Sequence, residues 1–418
     1  MNNSLQPSIS DLYQVYRNRL VTTDSRSVPP NSLFFALRGE RFDGNKYAKK
    51  ALEAGAAYVV VDDPNVAAEI GERALLVTDS LQALQQLANH HRRQLRMPIL
   101  AITGSNGKTT TKELVAAVMS RHYRIHFTQG NLNNHIGVPL TLLQIGEEVE
   151  MAIIEMGANH QGEIAALCQI AEPTHGLITN IGDAHLEGFG GIEGVKKGKG
   201  ELYDYLVVTG GVAFVNLDAE HLPQMAEKLT KRINYCHSDQ PSPTEPAMEI
   251  QLLRTAPDVS VAFLDETGQL QRADTNLPGG HNFENIKAAV AIGKYFKVPV
   301  LKIAAGLEAY QSTNNRSQRL TYQGVDFLLD AYNANPSSTK AALHAFVEVT
   351  TEPRIAILGE MLELGEETKN AHRTIAELAS RMSLEQLILV GKGYAEATTQ
   401  YPSLHFPEVA TSGKWRDG

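Results

Sequence analysis

Thr103-Gly104-Ser105-Asn106-Gly107-Lys108-Thr109-Thr110-Thr111 is the most informative run in the chain. The residues before it, Pro98-Ile99-Leu100-Ala101-Ile102, are apolar and partly β-branched, as in a buried strand. The residues after it carry Leu114, Val115, Val118 and Met119 at helical spacing. A strand, a glycine turn and a helix start form a phosphate cradle. Backbone N–H groups of the turn point at the anion, and the helix dipole adds partial positive charge. Gly104, Ser105, Asn106, Gly107, Lys108, Thr109 and Thr110 are therefore the candidate nucleotide-binding residues. Lys108 would reach the terminal phosphates, and Thr109 would offer its hydroxyl to a magnesium ion. The spacing is tighter than the Gly-x-x-x-x-Gly-Lys of the usual phosphate loop, since Ser105 and Asn106 alone separate Gly104 from Gly107. A glycine-rich turn with an incidental lysine is the plainer alternative, and the flanking strand and helix argue against it. The sequence thus predicts a protein that handles a nucleoside triphosphate.

Two further strand-like runs end in residues suited to a metal. Met151-Ala152-Ile153-Ile154 leads into Glu155, and Gly176 to Gly182 leads into Asp183-Ala184-His185. Open parallel sheets gather their chemistry at such carboxyl ends. Magnesium prefers oxygen ligands and keeps several waters, so Glu155 with Thr109 and the phosphates suffices for one ion. Histidine is a less usual magnesium ligand, so His185 reads equally as a ligand or as a satisfied structural residue. The helical stretch from Ile192 to Leu206 carries Lys196, Lys197 and Lys199. A solvated basic face is the ordinary meaning of such a cluster. A buried lysine near a metal, however, loses its proton easily and can add to carbon dioxide, giving an anionic carbamate ligand.

At 418 residues the chain is too long for one compact core. Hydrophobic residues at 43% and charged residues at 20% describe an ordinary globular chain. A net charge of −9 gives no basis for nucleic-acid binding. Cys168 and Cys236 are the only cysteines, too few for a disulfide framework and in keeping with a reducing cytosol. Met1 to Tyr16 lacks the apolar core of a signal peptide, and no apolar run approaches the length of a bilayer span. A cytoplasmic protein without membrane insertion is expected.

The fold class expected is α/β in three domains. Residues 1–97 form a small α/β domain, with strands at Ser32–Leu37 and Ala57–Val61 and helices at Tyr47–Ala54 and Leu81–Leu95. Residues 98–312 form a central phosphate-loop ATPase domain on a mostly parallel sheet. Residues 313–418 form a Rossmann-like α/β domain, with strands around Phe327–Leu329, Ile355–Leu358 and Leu387–Val390. Asp24-Ser25-Arg26 and the run from Arg38 to Gly44 read, by themselves, as a capped turn and a hairpin loop.

Thr103 to Thr110, Glu155-Met156-Gly157-Ala158-Asn159-His160-Gln161-Gly162-Glu163 and Asn180-Ile181-Gly182-Asp183-Ala184-His185-Leu186-Glu187 together resemble the Mur ligase family. The resemblance runs from about Asp24 to Gly393 and is strongest to the branch that joins D-alanyl-D-alanine to UDP-N-acetylmuramoyl-tripeptide. It implies an ATP-dependent peptide ligase of cell-wall precursor synthesis. ATP would phosphorylate the tripeptide carboxylate, and the dipeptide amine would attack the acyl phosphate. It also implies two magnesium ions, one on Thr109 and Glu155, the other on His185 and a carbamylated lysine. The family pattern Lys-Gly-Glu-Ile matches Lys199-Gly200-Glu201-Leu202, which selects Lys199 over Lys196 and Lys197. Lys108, Lys199 and His185 are then the implied catalytic residues.

The stretch Gly279 to Ala289 resembles the family's nucleotide segment, which puts Asn282 and Asn285 near the adenine; alone, it is a capped helix start. Arg316 matches the nucleotide-contacting arginine better than Arg319, and Asp330 would hold the ribose. Asp24, Ser25, Arg26, Asp43 and Gly44 resemble the uridine-diphosphate pocket, although Asn45 stands where many relatives have His and takes no role. The loop Asn131 to Thr141 resembles the one that approaches the muramoyl substrate, with Asn134 and Thr141 as its contacts. Asn333 and Asn335 would shape the turn after Asp330; as bare sequence, Asn333 to Ser338 is a turn and a helix cap.

Relatives usually continue to a Lys-Gly-Ser-Arg segment and a final helix. This chain stops at Gly418 without them, so a missing last strand and helix is expected. A folylpolyglutamate synthase would carry its phosphate loop nearer the N-terminus. A diaminopimelate- or lysine-adding ligase would carry Asp-Asn-Pro-Arg where Asn333-Ala334-Asn335-Pro336 stands. A non-catalytic nucleotide-dependent binding protein would have no use for Lys108, Glu155, His185 and Lys199 together. A monomer is expected.

Overall fold

The structure is a computed structural model that describes residues 6–17, 19–183, 185–239 and 246–394. The expectation about the final segment therefore concerns residues outside the described ones.

Short β-branched and aromatic runs form the first sheet. Val21–Thr22 (β1), Leu33–Phe35 (β2), Tyr58–Val61 (β3) and Ala74–Leu76 (β4) are parallel and lie in the order β1-β2-β3-β4. Residue alternation sends Phe34, Val59 and Val61 to one face, against Ala48 and Ala51. Leu33, Phe35 and Val60 point to the other face and meet helix α1 (Ser80–Gln94). Asp79 caps α1 by accepting from the Gln82 N–H at 2.9 Å. Leu84 and Leu87 of α1 share one core with Val138, Leu142 and Leu167, so the helix is the seam between the first sheet and the central one.

The central sheet holds nine strands: Ile99–Thr103 (β5), Ile125–Phe127 (β6), Met151–Glu155 (β7), His175–Ile178 (β8), Val212–Asn216 (β9), Arg232–His237 (β10), Met248–Arg254 (β11), Ser260–Leu264 (β12) and Leu270–Asp274 (β13). Their order is β13-β12-β11-β10-β9-β8-β5-β7-β6, parallel from β6 across to β11 and antiparallel for the last two strands. Helices α2 (Lys108–Met119), α3 (Ile192–Thr209), α4 (His281–Tyr295) and α5 (Val300–Ala309) belong to this region. Leu100 and Ile102 of β5 join the core beneath α2, α4 and α5, whereas Ile99 and Ala101 join the core on the α3 side. Both faces are covered, which is why β5 reads as a continuous apolar run and not as an alternating one. Strand β5 lies between β7 and β8, so the chain departs to both sides of it. Its carboxyl end is the switch point at which such sheets bind ligands.

The last region has its own core of Leu343, Ala356, Ile375, Leu387 and Leu389. Gln318–Tyr322 (β14) and Val325–Leu329 (β15) pair antiparallel. Helix α6 (Pro336–Val349) follows, then Ile355–Gly359 (β16), α7 (Thr368–Ser380) and Gln386–Val390 (β17), with β16 and β17 parallel as a strand–helix–strand unit requires. Helix α6 opens on a capping box: Asn335 accepts from the Ser338 N–H at 2.9 Å, and the Ser338 hydroxyl accepts from the Asn335 N–H at 3.1 Å. Among the described residues, no helix is long and apolar enough to cross a membrane.

Helix α5 rests on α2 backbone to backbone at Gly306. A Cβ there would lie 2.7 Å from Val118 Cα and 2.8 Å from the Ala117 carbonyl oxygen. Gly306→Ala is therefore expected to destabilise the protein by about 1–3 kcal/mol, read as a lower midpoint in urea unfolding. Gly39→Ala, where a Cβ would meet no atom within 4 Å, should stay within about 0.5 kcal/mol of the parent.

Candidate nucleotide and ligase site

The loop between β5 and α2 is built on two glycines in conformations other residues avoid, Gly104 at φ 142° and Gly107 at φ 78°. Each also has a neighbour where a Cβ would go. At Gly104 it would run into the Thr179 side chain and come to 3.0 Å from the Thr179 nitrogen; at Gly107 it would run into the Asn285 carboxamide. The loop is fastened by the residues that follow β8. Asn180 accepts from the Asn106 N–H through its side chain (2.9 Å) and from the Ser105 N–H through its carbonyl (3.0 Å). Thr179 Oγ1 and Asn180 Nδ2 both donate to the Asn106 carbonyl, at 2.6 and 3.0 Å. Ser105 Oγ donates to the Gly182 carbonyl and accepts from the Gly182 N–H. Thr179 and Asn180 were not assigned roles from sequence; their position at the end of a strand beside the switch point was the available signal.

Lys108 folds back on this loop, its ammonium donating to the carbonyls of Gly104 (2.6 Å) and Ser105 (3.0 Å). The residue as a whole is only partly buried, but the ammonium is enclosed. That burial lowers its pKa to about 8, against the pull of Glu155 and helped by the charge of Arg316.

Glu155, at the end of β7, is 1% exposed. Its Oε1 accepts from Thr109 Oγ1 at 3.2 Å and from Asn133 Nδ2 at 2.8 Å. Its Oε2 is buried with no hydrogen-bond partner. The Lys112 ammonium lies 3.7 Å away, outside hydrogen-bond range, and a carboxylate oxygen free of hydrogen bonds beside a hydroxyl and a phosphate loop fits a hard cation. Among the described residues no group of three or more His, Cys, Asp and Glu side chains could hold an ion. An ion at Glu155 would therefore draw its other ligands from hydroxyl, phosphate and water.

Of the three lysines on α3, the structure buries Lys199 alone. Lys197 is exposed and Lys196 pairs with Glu193 at 2.7 Å. Lys199 is 1% exposed, donates to the Ala158 carbonyl at 2.8 Å and has its Nζ 4.8 Å from the Phe189 ring centre. Burial first, and the charge of Lys108 second, push its pKa well below the ordinary lysine value. The neutral amine is the form that adds to carbon dioxide, and burial favours that form, so the site fits the carbamate. His185 has φ 57° and its Nδ1 pairs with Glu363 from the loop after β16. Burial lowers its pKa; Glu363 opposes this, and the nearby charges of Lys108 and Lys199 add to it.

Asn282 and Asn285 are buried at the start of α4. Asn285 Nδ2 donates to Asn282 Oδ1 at 3.1 Å, and Asn285 Oδ1 accepts from Thr111 Oγ1 at 3.0 Å, tying α4 to the phosphate-loop helix. Arg316 stacks over Tyr332 at 4.0 Å with its Nε buried and unpaired. Asp330 accepts from the Ser317 N–H at 3.3 Å, while Asn333 is exposed. Asn335 reaches the loop directly: its Nδ2 donates to Asn106 Oδ1 at 2.7 Å, and Asn106 Nδ2 donates to Ser337 Oγ at 2.9 Å.

The remaining candidates serve their own loops. Asp24 and Arg26 pair at 3.0 Å after β1, with Ser25 between them, and Asp43 accepts from Asn45 just before Gly44. Asn134 Oδ1 caps the helix Gly137–Leu142 by accepting from the Ile136 and Gly137 N–H groups. Thr141 is 2% exposed and its hydroxyl donates to the Gly137 carbonyl at 2.9 Å, so it is internal to that helix.

Three family profiles match the chain: "Mur ligase family, catalytic domain" over residues 18–92, "Mur ligase middle domain" over 102–293 and "Mur ligase, glutamate ligase domain" over 315–404. The UDP-N-acetylmuramoyl-tripeptide–D-alanyl-D-alanine ligase of Escherichia coli K12 is 35% identical over 391 residues, covering 93% of this chain and 85% of its own. The chain belongs to the Mur ligase family. The Bacillus subtilis ligase of the same name is 34% identical to this Mur ligase, covering 89% of it and 80% of itself. A MurF crystal structure from Acinetobacter baumannii superposes with a TM-score of 0.81 at 29% identity, covering 96% of this Mur ligase and 89% of that chain.

The enclosed ammonium of Lys108 gives a pH signature. Between about 8 and the ordinary 10.5, the unfolded chain binds a proton at Lys108 that the folded chain has released. More protons on the unfolded side means that stability rises with pH. The contribution is complete above about 10.5 and is lost as pH falls through about 8. Denaturant midpoints of the wild type should therefore gain on those of Lys108→Met across this window, whereas parallel curves would contradict the assignment.

Proposed function

We infer that this Mur ligase joins D-alanyl-D-alanine to UDP-N-acetylmuramoyl-tripeptide, with ATP converted to ADP and phosphate, through an acyl-phosphate intermediate. The juxtaposition of the phosphate loop with buried Glu155 and Lys199, in a chain 35% identical to the Escherichia coli ligase of that name, carries this reading. A carboxylate is a poor electrophile because oxide would have to leave; phosphorylation supplies a leaving group.

Loop N–H groups and Lys108 bind the phosphates, and Lys108 must leave the Gly104 and Ser105 carbonyls to do so. Its charge then stabilises the charge that builds on the transferring phosphoryl group. Asn282 and Asn285 lie toward the adenine, Asp330 toward the ribose and Arg316 toward the phosphates. Thr109 and Glu155 would hold one magnesium ion, and His185 with a carbamylated Lys199 a second. Bound magnesium offsets negative charge on the phosphates. Glu363 holds Nδ1 of His185, which leaves Nε2 as the nitrogen that would meet the second ion.

Asp24, Ser25, Arg26, Asp43 and Gly44 take the uridine diphosphate. Asn134 and Thr141 act by holding the muramoyl loop, since their polar groups are engaged within it. Asn333 and Asn335 shape the turn facing the phosphate loop. Three domains, 1–97, 98–312 and 313–418, divide this work; the separate core around Leu343 and Leu389 and the extents of the family profiles support the division. With ATP and a UDP-linked precursor as substrates, the reaction belongs in the cytoplasm.

Phosphate release from ATP with UDP-N-acetylmuramoyl-tripeptide should require D-alanyl-D-alanine, with the product gaining the mass of the dipeptide less water. Lys108→Ala should lower kcat by about 10²–10³. Release with glutamate or a diamino acid in place of the dipeptide would move the protein elsewhere in the family.

A further inference from the structure

The second turn of α2 carries two charged residues that the ligase reading leaves without a role. Lys112 is fully buried, on the face that also carries Val115 and Met119. Its ammonium has no hydrogen-bond partner and sits 3.7 Å from Glu155 Oε2 and 3.7 Å from Glu113 Oε1. The other oxygen of Glu113 accepts from Tyr310 Oη at 2.8 Å and from Asn314 Nδ2 at 3.0 Å. Tyr310 directly follows α5, and Asn314 lies in the connection from α5 to β14. That connection holds Arg316 between Asn315 at φ 57° and Ser317 at φ 48°, both in the left-handed region that non-glycine residues rarely adopt. A sharply bent joint is thus fastened at one carboxylate, and that carboxylate is joined through Lys112 to Glu155.

We propose that Glu113 anchors the joint between the central and third domains to the phosphate-loop helix, and that Lys112 couples this anchor to Glu155. Glu113 and Lys112 are positioning residues for Arg316 and Asp330. Charge-assisted hydrogen bonds from Tyr310 and Asn314 fix the angle at which the chain leaves α5. Lys112 lies equally far from the two carboxylates, so in a poorly solvated interior its single charge is shared between them. Whatever draws on Glu155 therefore changes how firmly Lys112 holds Glu113. The catalytic meaning of this coupling rests on the ligase reading; the coupling itself does not need substrates to be observed.

The test is hydrogen exchange across residues 310–317 in the full chain, without ligands, for the wild type, Glu113→Gln and Lys112→Met. Among the described residues Lys112 makes no hydrogen bond or ion pair with the joint itself, so a merely local structural role would leave exchange there unchanged in Lys112→Met. The coupling predicts that both variants speed exchange by about fivefold or more, and that both raise the KM for ATP more than they lower kcat. Wild-type exchange in Lys112→Met would overturn the proposal. Should Lys112→Met not fold, Tyr310→Phe removes only a hydroxyl and decides in its place: faster exchange supports the anchor and unchanged exchange overturns it. A wild-type chain that binds ATP yet forms no product would count against the ligase reading alone, because the exchange result stands without turnover.

Discussion

The fastening of the phosphate loop to the end of β8 is the constraint on which the site depends. A cradle works only if its N–H groups face the anion, which requires its carbonyls and side chains to be satisfied elsewhere. Thr179 and Asn180 take the Asn106 carbonyl, and Asn180 also receives the Asn106 and Ser105 N–H groups, so the anion is left to the N–H groups of the rest of the loop and the first turn of α2. Neither glycine in the loop could be replaced without displacing Thr179 or Asn285. The loop is therefore shaped by three neighbours at once, namely the end of β8, the start of α4 and the turn before α6.

That same crowding sets the electrostatics. Lys108 and Lys199 are held where an ammonium is costly, and Glu155 keeps one oxygen buried with no hydrogen bond, 3.7 Å from the buried Lys112 ammonium. Unpaired buried charge destabilises a protein unless something arrives to answer it. In the ligase reading, phosphate for Lys108, a cation for Glu155 and carbon dioxide for Lys199 would each relieve one of these tensions. The site is costly by itself and complementary to what the ligase reading brings to it.

Much of this was legible in the sequence. The run from Ile99 to Met119 gave away strand, turn and helix because buried parallel strands are continuously apolar and the glycines mark the turn. The strand end at Glu155 followed from the same logic, whereas β8 stops at Ile178 and leaves His185 in the loop beyond it; the family pattern singled out Lys199 among three lysines that periodicity could not separate. Other features depended on contacts far apart in sequence. Thr141 looked like a substrate contact, but its hydroxyl is spent inside its own helix. The fastening by Thr179 and Asn180 and the pairing of His185 with Glu363 are tertiary facts with no local signature. Lys112 did leave a trace, a charge in register with Val115 and Met119 on an apolar face, and so did Glu113 beside it.

Transfer of the terminal phosphoryl group of ATP to the tripeptide carboxylate is what the whole arrangement is built to support. Tracing oxygen tests it most directly, using UDP-N-acetylmuramoyl-tripeptide whose terminal carboxylate carries heavy oxygen, with ATP and D-alanyl-D-alanine. An acyl phosphate that yields to the amine predicts one heavy oxygen in each phosphate released, matched by amide product. Phosphate released without the label would mean that water, and not the carboxylate, takes the phosphoryl group, and would contradict the account.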